Sequence, residues 1–352
     1  MAAREVLTRL DEVIAVKTFS LATAVFLTCI VATFVTAGLS GKSPVNGIEK
    51  TLSIPTHDTV AVDSGDLNQL DITAKPAPKP KLNEPQPIEI EDAVAGLHTE
   101  TPHGLVPVIR KEDGLTPFKA YAAPFAADPS AKALVSFVML DYGLSEKTSD
   151  TAVKNLPSGV TLVLDAYTRD AQKWTSEARR HGHEVWLSLP LQSKDYPTID
   201  TGPKTILATL SDGDADNRLK QTLGVSTGYS GLVINNSFGF GKAPNLLEKV
   251  LNDIAGRGLG IVQSSTIDQN LSKLVAQTKA PFALADLNMS NMDSGKSLPE
   301  KLIDIEAMAV EKKKLVIFFS PYPATIKALQ DWSEKASNRG VQFAPLSAVV
   351  SK

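Results

Sequence analysis

The sequence predicts an α/β protein, a distorted (β/α) barrel of seven or eight units preceded by one transmembrane helix and a disordered tether. Three observations carry this prediction. From Ala133 onward, short apolar runs alternate with amphipathic ones, the pattern of repeated β-α units around a parallel sheet. Between Thr18 and Gly41 no residue is charged, and a helix of that length covers the roughly 30 Å hydrocarbon core of a bilayer. Between the two, KPAPKPKLNEPQP (75–87) holds five prolines, which favour an extended, semi-rigid chain.

The expected organisation is therefore a short cytoplasmic N-terminus (1–17), a transmembrane anchor (18–39), a Pro-rich disordered tether (40–128) and a barrel domain (129–352). Arg4, Arg9 and Lys17 precede the apolar run and favour a cytoplasmic N-terminus, since lysine and arginine set the bias. The barrel then lies outside the cytoplasm. Val35-Thr36-Ala37 also fits a signal-peptidase site, but the apolar run exceeds the roughly 7–15 residues of a cleaved signal. From residue 42 to about 128 no helical or strand period is sustained.

With 352 residues, 43% of them hydrophobic, the chain can bury a large core. A net charge of −3 with mixed signs gives no dense basic face, which argues against nucleic acid. Cys29 is the one cysteine, so neither an intramolecular disulfide framework nor a cysteine metal cage is available.

The expected strands are LVSFVML (134–140), VTLVLDA (160–166), HEVWLSL (183–189), GLVIN (231–235), GLGIVQ (258–263), PFALAD (281–286), KLVIFFS (314–320) and a weaker VQFAP (341–345). Between them, Leu246, Leu247, Val250, Leu251 and Ile254 share one helical face, as do Leu302, Ile305 and Ala309, and Ile326, Leu329 and Ala336. Gly159, Gly182, Gly258 and Gly340 precede strands and fit left-handed helix ends. No Gly-x-Gly-x-x-Gly follows the first strand, which weighs against a dinucleotide fold.

Barrel chemistry belongs to the C-terminal ends of the strands. Those ends carry Asp141, Asp165 with Tyr167, Ser188 with Gln192, Asn235, Asn236 and Ser237, Gln263 with Ser264, Asp286 with Asn288, and Ser320. Carboxylates, amides and hydroxyls in this mixture suit a polyhydroxylated ligand such as a glycan. Each residue taken alone also fits a cap or a turn; Asp141 could orient the turn before Ser145, a good N-cap. Of the five histidines, His57, His98 and His103 fall in the expected tether, while His181 and His183 fall at the N-terminal end of a strand. No histidine reaches the mouth to build a zinc site or a nucleophilic system.

In order, VSFVMLDYGLS, NLPSGVTLVLDAY, ARRHGHEVWLSLPLQSKDYPTIDTGPKTIL, NRLKQTLGVSTGYSGLVINNSFG, RGLGIVQSST and YPATIKALQDW with GVQFAPLSAVV resemble the divergent polysaccharide deacetylase family. The resemblance runs over residues 131 to 350. It implies a fold related to the metal-dependent carbohydrate deacetylase barrel and a place in the cell envelope, usually the periplasm, so that the expected anchor is single-pass in the inner membrane with the barrel on the periplasmic side. It also implies an Asp-Asp-x-Gly at the end of the first strand, the first Asp a general base and the second a metal ligand. Here Leu140 stands at the base position and Asp141 at the ligand position. The family's Pro-Met-Glu-Pro reads Pro190-Leu191-Gln192-Ser193, its Asn-Asn-His reads Asn235-Asn236-Ser237, and an expected Asp is Gln263.

The expected function is that of a membrane-anchored envelope protein whose deacetylase-like barrel binds glycan or peptidoglycan with weak or no catalysis. Asp141 is the residual catalytic candidate, and Asp165, Tyr167, Gln192, Asn235, Asn236, Ser237 and Asp286 are the substrate-binding candidates. No cofactor and no dedicated metal site are expected, weak divalent-cation binding at Asp141 being the one cation role left open. Two alternatives stand beside this reading, an active metal-dependent deacetylase and an envelope scaffold for protein partners.

Overall fold

The computed structural model describes residues 89–350, apart from 236–239, 241–242 and 265–268. The expected N-terminus, anchor and tether up to residue 88 lie outside the described residues. Among the described residues no helix is long and apolar enough to cross a membrane.

A parallel sheet forms the centre. Its strands are β3 (Ala133–Tyr142), β4 (Thr161–Leu164), β5 (Val185–Leu189), β6 (Gly231–Ile234), β7 (Gly260–Gln263), β8 (Phe282–Leu284), β9 (Leu287–Asn288) and β10 (Lys314–Phe319), in the order β8-β7-β6-β5-β4-β3-β10-β9. The two ends of that order, β8 and β9, are separated in sequence only by Ala285 and Asp286, so the sheet curls until its edges are joined by two residues. This is the expected distorted barrel, with PFALAD broken at the seam. The weak last strand is also present: β11 (Val341–Phe343) pairs with the start of β3.

Alternation along the strands sorts side chains into two layers. Inward, Val138, Val163, Trp186, Val233, Val262, Val316 and Phe318 fill the barrel. Outward, residues such as Phe137, Leu162, Leu187, Leu232 and Ile261 meet the helices. The helical faces read from the sequence are the buried ones on α5 (Pro244–Gly256), α7 (Leu298–Lys312) and α8 (Pro323–Asn338). The remaining helices are α2 (Glu146–Asn155), which Ser145 caps by accepting from the Thr148 N–H, α3 (Ala171–Arg180), α4 (Asp212–Leu223) and α6 (Gln269–Gln277). Trp186 dictates two glycines on neighbouring strands. A Cβ at Gly231 would stand 2.4 Å from its ring, and one at Gly260 2.6 Å. Of the glycines expected at left-handed helix ends, Gly182, Gly258 and Gly340 have positive φ, whereas Gly159 does not and is required by the close approach of Phe343.

The region up to residue 128, expected as tether, carries structure from its last third onward. An antiparallel hairpin, β1 (His98–Thr101) with β2 (Gly104–Pro107), is followed by a short helix, α1 (Pro117–Ala120). A hairpin this short has no stability of its own and holds only by docking. At the hairpin Arg257 donates to the Pro107 carbonyl (3.2 Å) and His103 Nε2 lies 2.6 Å from Asn217 Oδ1; on either side of it Ser176 Oγ donates to Asp92 (2.7 Å), Arg179 donates to the Glu91 carbonyl (2.7 Å) with its guanidinium 4.9 Å from the Tyr121 ring centre, and the Phe118 N–H donates to Gly258 O (3.1 Å). Phe118 then plugs the N-terminal end of the barrel against Trp186, ring centres 6.2 Å apart, beside Leu346 and Val349 of the last helix, α9 (Leu346–Val349).

Beneath Trp186 sits Glu184, fully enclosed. Its carboxylate accepts from Trp186 Nε1 (2.6 Å), the Ser347 N–H (2.9 Å), the Ala123 N–H (3.1 Å) and the Ser347 hydroxyl. Burial pushes its pKa up, and these donors oppose that shift. Next to it His183 is buried with Nδ1 2.9 Å from Val160 O and Nε2 3.1 Å from Val153 O; burial outweighs both carbonyls and lowers its pKa.

Glu184→Ala strands buried donors from three segments, each costing roughly 1–3 kcal/mol, so urea unfolding should show a loss of at least about 3 kcal/mol; an unchanged midpoint would contradict the role. For His183 the folded state resists a proton that the unfolded chain takes up, so stability falls as pH drops below the ordinary histidine value of 6.5. The loss between pH 7.5 and 5.5 should be smaller in His183→Gln than in the native chain, and equal losses would show that His183 contributes nothing to it.

Candidate functional site

The C-terminal ends of the strands open as a mouth opposite the Glu184 floor. Leu140, buried, is the last inward side chain of β3. The register between β3 and β4 then slips between Met139 and Tyr142, a β-bulge, and Asp141 takes φ 59°. The extra residue returns Tyr142 to the outer layer, where its hydroxyl donates to Trp174 O (3.1 Å), and leaves Asp141 at the rim. Asp141 has its pKa raised, first by loss of hydration and then by the charge of Asp165 on the next strand. The two predicted carboxylates thus lie within electrostatic reach of each other.

Asp165 is already engaged. Its Oδ1 accepts from the Tyr167 N–H (2.8 Å), and Ser188, whose hydroxyl also accepts from the Ala166 N–H (2.9 Å), stands 3.4 Å from Oδ2. Tyr167 serves the loop between β5 and α4: its hydroxyl accepts from the Lys204 N–H (2.9 Å), and Gly202 packs on its oxygen so closely that a Cβ would sit 2.7 Å away. Gln192 anchors the same loop, its side-chain oxygen accepting from the Ala208 N–H (2.9 Å) while Leu191 and Ile206 bridge beside it. Asn235 lies at the mouth and accepts from the buried Ser264 hydroxyl. Asn236 and Ser237 lie outside the described residues.

Asp286 does not join the mouth. It accepts from the Val316 N–H (2.9 Å) and pairs with Lys312 (3.0 Å), satisfying the edge of β10 at the barrel seam. Ser320 at the mouth lies four positions beyond Val316, about 13 Å along a strand. Gln263, also expected at the mouth, faces outward and accepts from Ser272 on α6 (3.1 Å). Asn288 caps the short 3-10 turn Met289–Asn291.

The residue that sequence reading missed is Lys204. Its ammonium donates to Ala166 O (2.5 Å), lies 5.4 Å from the Tyr167 ring centre and is half-buried; burial lowers its pKa while Asp165 opposes the change. Only the folding-back of the β5–α4 loop brings it there, so no local signal marks it.

As a metal site the arrangement is incomplete. Among the described residues no group of three His, Cys, Asp or Glu side chains is placed to hold a metal. Asp141 and Asp165 supply two carboxylates with neutral oxygens around them, short of the oxygen set that calcium gathers.

A model of the divergent polysaccharide deacetylase family matches residues 137–350. Among solved structures, an uncharacterized protein of Agrobacterium tumefaciens is 32% identical, with a TM-score of 0.65, over 70% of this chain and all (100%) of that one. The catalytic domain of a peptidoglycan N-acetylglucosamine deacetylase from Eubacterium rectale is 14% identical, TM-score 0.40, over 66% of this chain and 97% of its own. A CE4 family pseudoenzyme from Bacillus anthracis is 12% identical, TM-score 0.33, over 67% and 70% respectively. At such TM-scores the last two say nothing about this chain's chemistry. A search of curated proteins finds no match.

Asp165→Asn removes the second cause of the Asp141 shift and leaves the first. The Asp141 carboxyl, followed by NMR titration, should move down toward the ordinary carboxylate range without reaching it. An unmoved titration would separate the two residues.

Proposed function

From the premise that the chain belongs to the divergent polysaccharide deacetylase family, we propose that its barrel binds glycan at the mouth and hydrolyses it weakly or not at all. The observation that carries this reading is the end of β3. Amide hydrolysis needs an activated water and stabilisation of the developing charge. At the inward position where the resemblance implies a base, Leu140 is packed into the interior cluster and cannot accept a proton. Asp141 follows on the bulge, and Asp165 spends acceptor capacity on its own turn.

What remains suits hydrogen bonding to hydroxyls. Asn235, Ser188, Asp141, Asp165 and the Lys204 ammonium offer donors and acceptors of several kinds around one opening. The anchor read at residues 18–39 belongs to the same proposal; it holds the barrel on the periplasmic side of the inner membrane, where peptidoglycan is the abundant glycan. A second reading, hydrolysis with a divalent metal held by Asp141 and Asp165, is favoured by the charge that Asp165 places near Asp141.

The test is binding and turnover of acetylated glycan oligomers by the full chain, with and without added zinc, magnesium or calcium. The proposal expects saturable binding with no acetate released above background under any metal. Metal-dependent acetate release that disappears in Asp141→Asn would establish the second reading instead.

A further inference from the structure

Large apolar side chains left in water cost roughly 25 cal/mol for each Å² exposed, and clusters of them around polar groups mark binding surfaces. Four of the exposed large side chains of this barrel lie on loops that leave the same end of the sheet. Tyr322 (65% exposed) follows β10, Leu144 (55%) follows β3, and Tyr196 (38%) and Ile199 (51%) lie in the loop after β5. In the sheet, β10, β3, β4 and β5 are consecutive neighbours. These side chains therefore form an arc along one side of the mouth, with Asp141, Asp165 and Lys204 within it.

The arc has the shape of a track. Adjacent strands stand about 4.8 Å apart, so the three intervals from β10 to β5 span roughly 14 Å before loop reach is added, more than one sugar ring. Tyrosine offers a flat apolar face together with a polar tip, which matches a pyranose ring with apolar C–H faces and hydroxyls at its edge. Tyr167, by contrast, is engaged by Lys204 and Gly202 and works as a post for the loop rather than as a free platform. The β5 loop is itself held in place: Ser193 Oγ donates to Ile199 O (2.7 Å) and Thr201 Oγ1 to Leu191 O (3.2 Å), so Tyr196 and Ile199 are presented on a fixed segment.

We propose that Tyr322 and Tyr196 are the two outer stacking platforms of the mouth, across which a linear glycan several sugars long lies along the β10–β3–β4–β5 arc. This inference rests on the glycan-binding reading above and adds to it the length and the path of the ligand. A chain laid across both platforms gains from each, whereas a disaccharide at the polar centre reaches neither.

The probe is β-1,4-linked N-acetylglucosamine, as dimer and as hexamer, titrated calorimetrically into the full chain. The hexamer should bind at least about tenfold tighter than the dimer, the scale of a ring stacked on an aromatic side chain. Tyr322→Ala and Tyr196→Ala should each remove several-fold of the hexamer affinity and leave the dimer unchanged. Tyr322→Phe and Tyr196→Phe, which keep the ring, should retain it, so that a disturbed loop is told apart from a lost platform. Equal affinity for dimer and hexamer, or hexamer binding indifferent to both alanine variants, would overturn the track and leave glycan binding standing. Binding of neither oligomer would overturn the glycan reading and the track with it.

Discussion

The barrel closes at its N-terminal end on one buried carboxylate. Glu184 is placed inward by the alternation of β5, and burying its charge without partners would cost more than most side-chain packing returns. Its donors come from three distant parts of the chain: Trp186 on its own strand, Ala123 at the end of the N-terminal arm and Ser347 in the last helix. The arm and the C-terminal helix are therefore parts of one structure with the sheet, since removing either takes a donor from this group. Trp186, held by the same carboxylate, in turn fixes where β6 and β7 can have no side chain.

That dependence explains what could and could not be read from the amino-acid order. The strands, the buried faces of α5, α7 and α8, the Ser145 cap and the position of His183 at the N-terminal end are all local: a period, a cap residue or a place relative to a strand reveals each. The hairpin and short helix before Ala133 have no such period. Their order comes from contacts with Asn217, Arg257 and Gly258, far along the chain, and Pro- and Gly-rich sequence of this kind looks the same whether or not it docks. The site was legible in part for the same reason. Asp141, Asp165 and Asn235 follow from strand ends alone, whereas Asp286 was misplaced because PFALAD breaks at the seam, Gln263 because the side chain at that register faces the helices, and Lys204 because a long loop carries it back.

Within the mouth, the polar groups divide by what they already hold. Tyr167 and Gln192 serve the β5–α4 loop, and Asp165 serves its own turn. Asp141 has a raised pKa, and among the described residues its carboxylate makes neither an ion pair nor a side-chain hydrogen bond. A bulge and a left-handed backbone present this group, an arrangement a non-glycine residue adopts only where the surrounding structure imposes it. Local strain and an unspent carboxylate thus coincide at one residue of the rim.

Leu140, one residue earlier, sets stability against activity. Its side chain completes the top of the interior cluster, and burying a leucine is worth roughly 1.5–3 kcal/mol. A carboxylate at the same depth would have to shed its water among apolar side chains such as Val138, Val163 and Phe318. The strand end is more secure with the apolar residue than with an acid. An acid placed at this position alone would therefore weaken the fold unless the charges around it changed together with it.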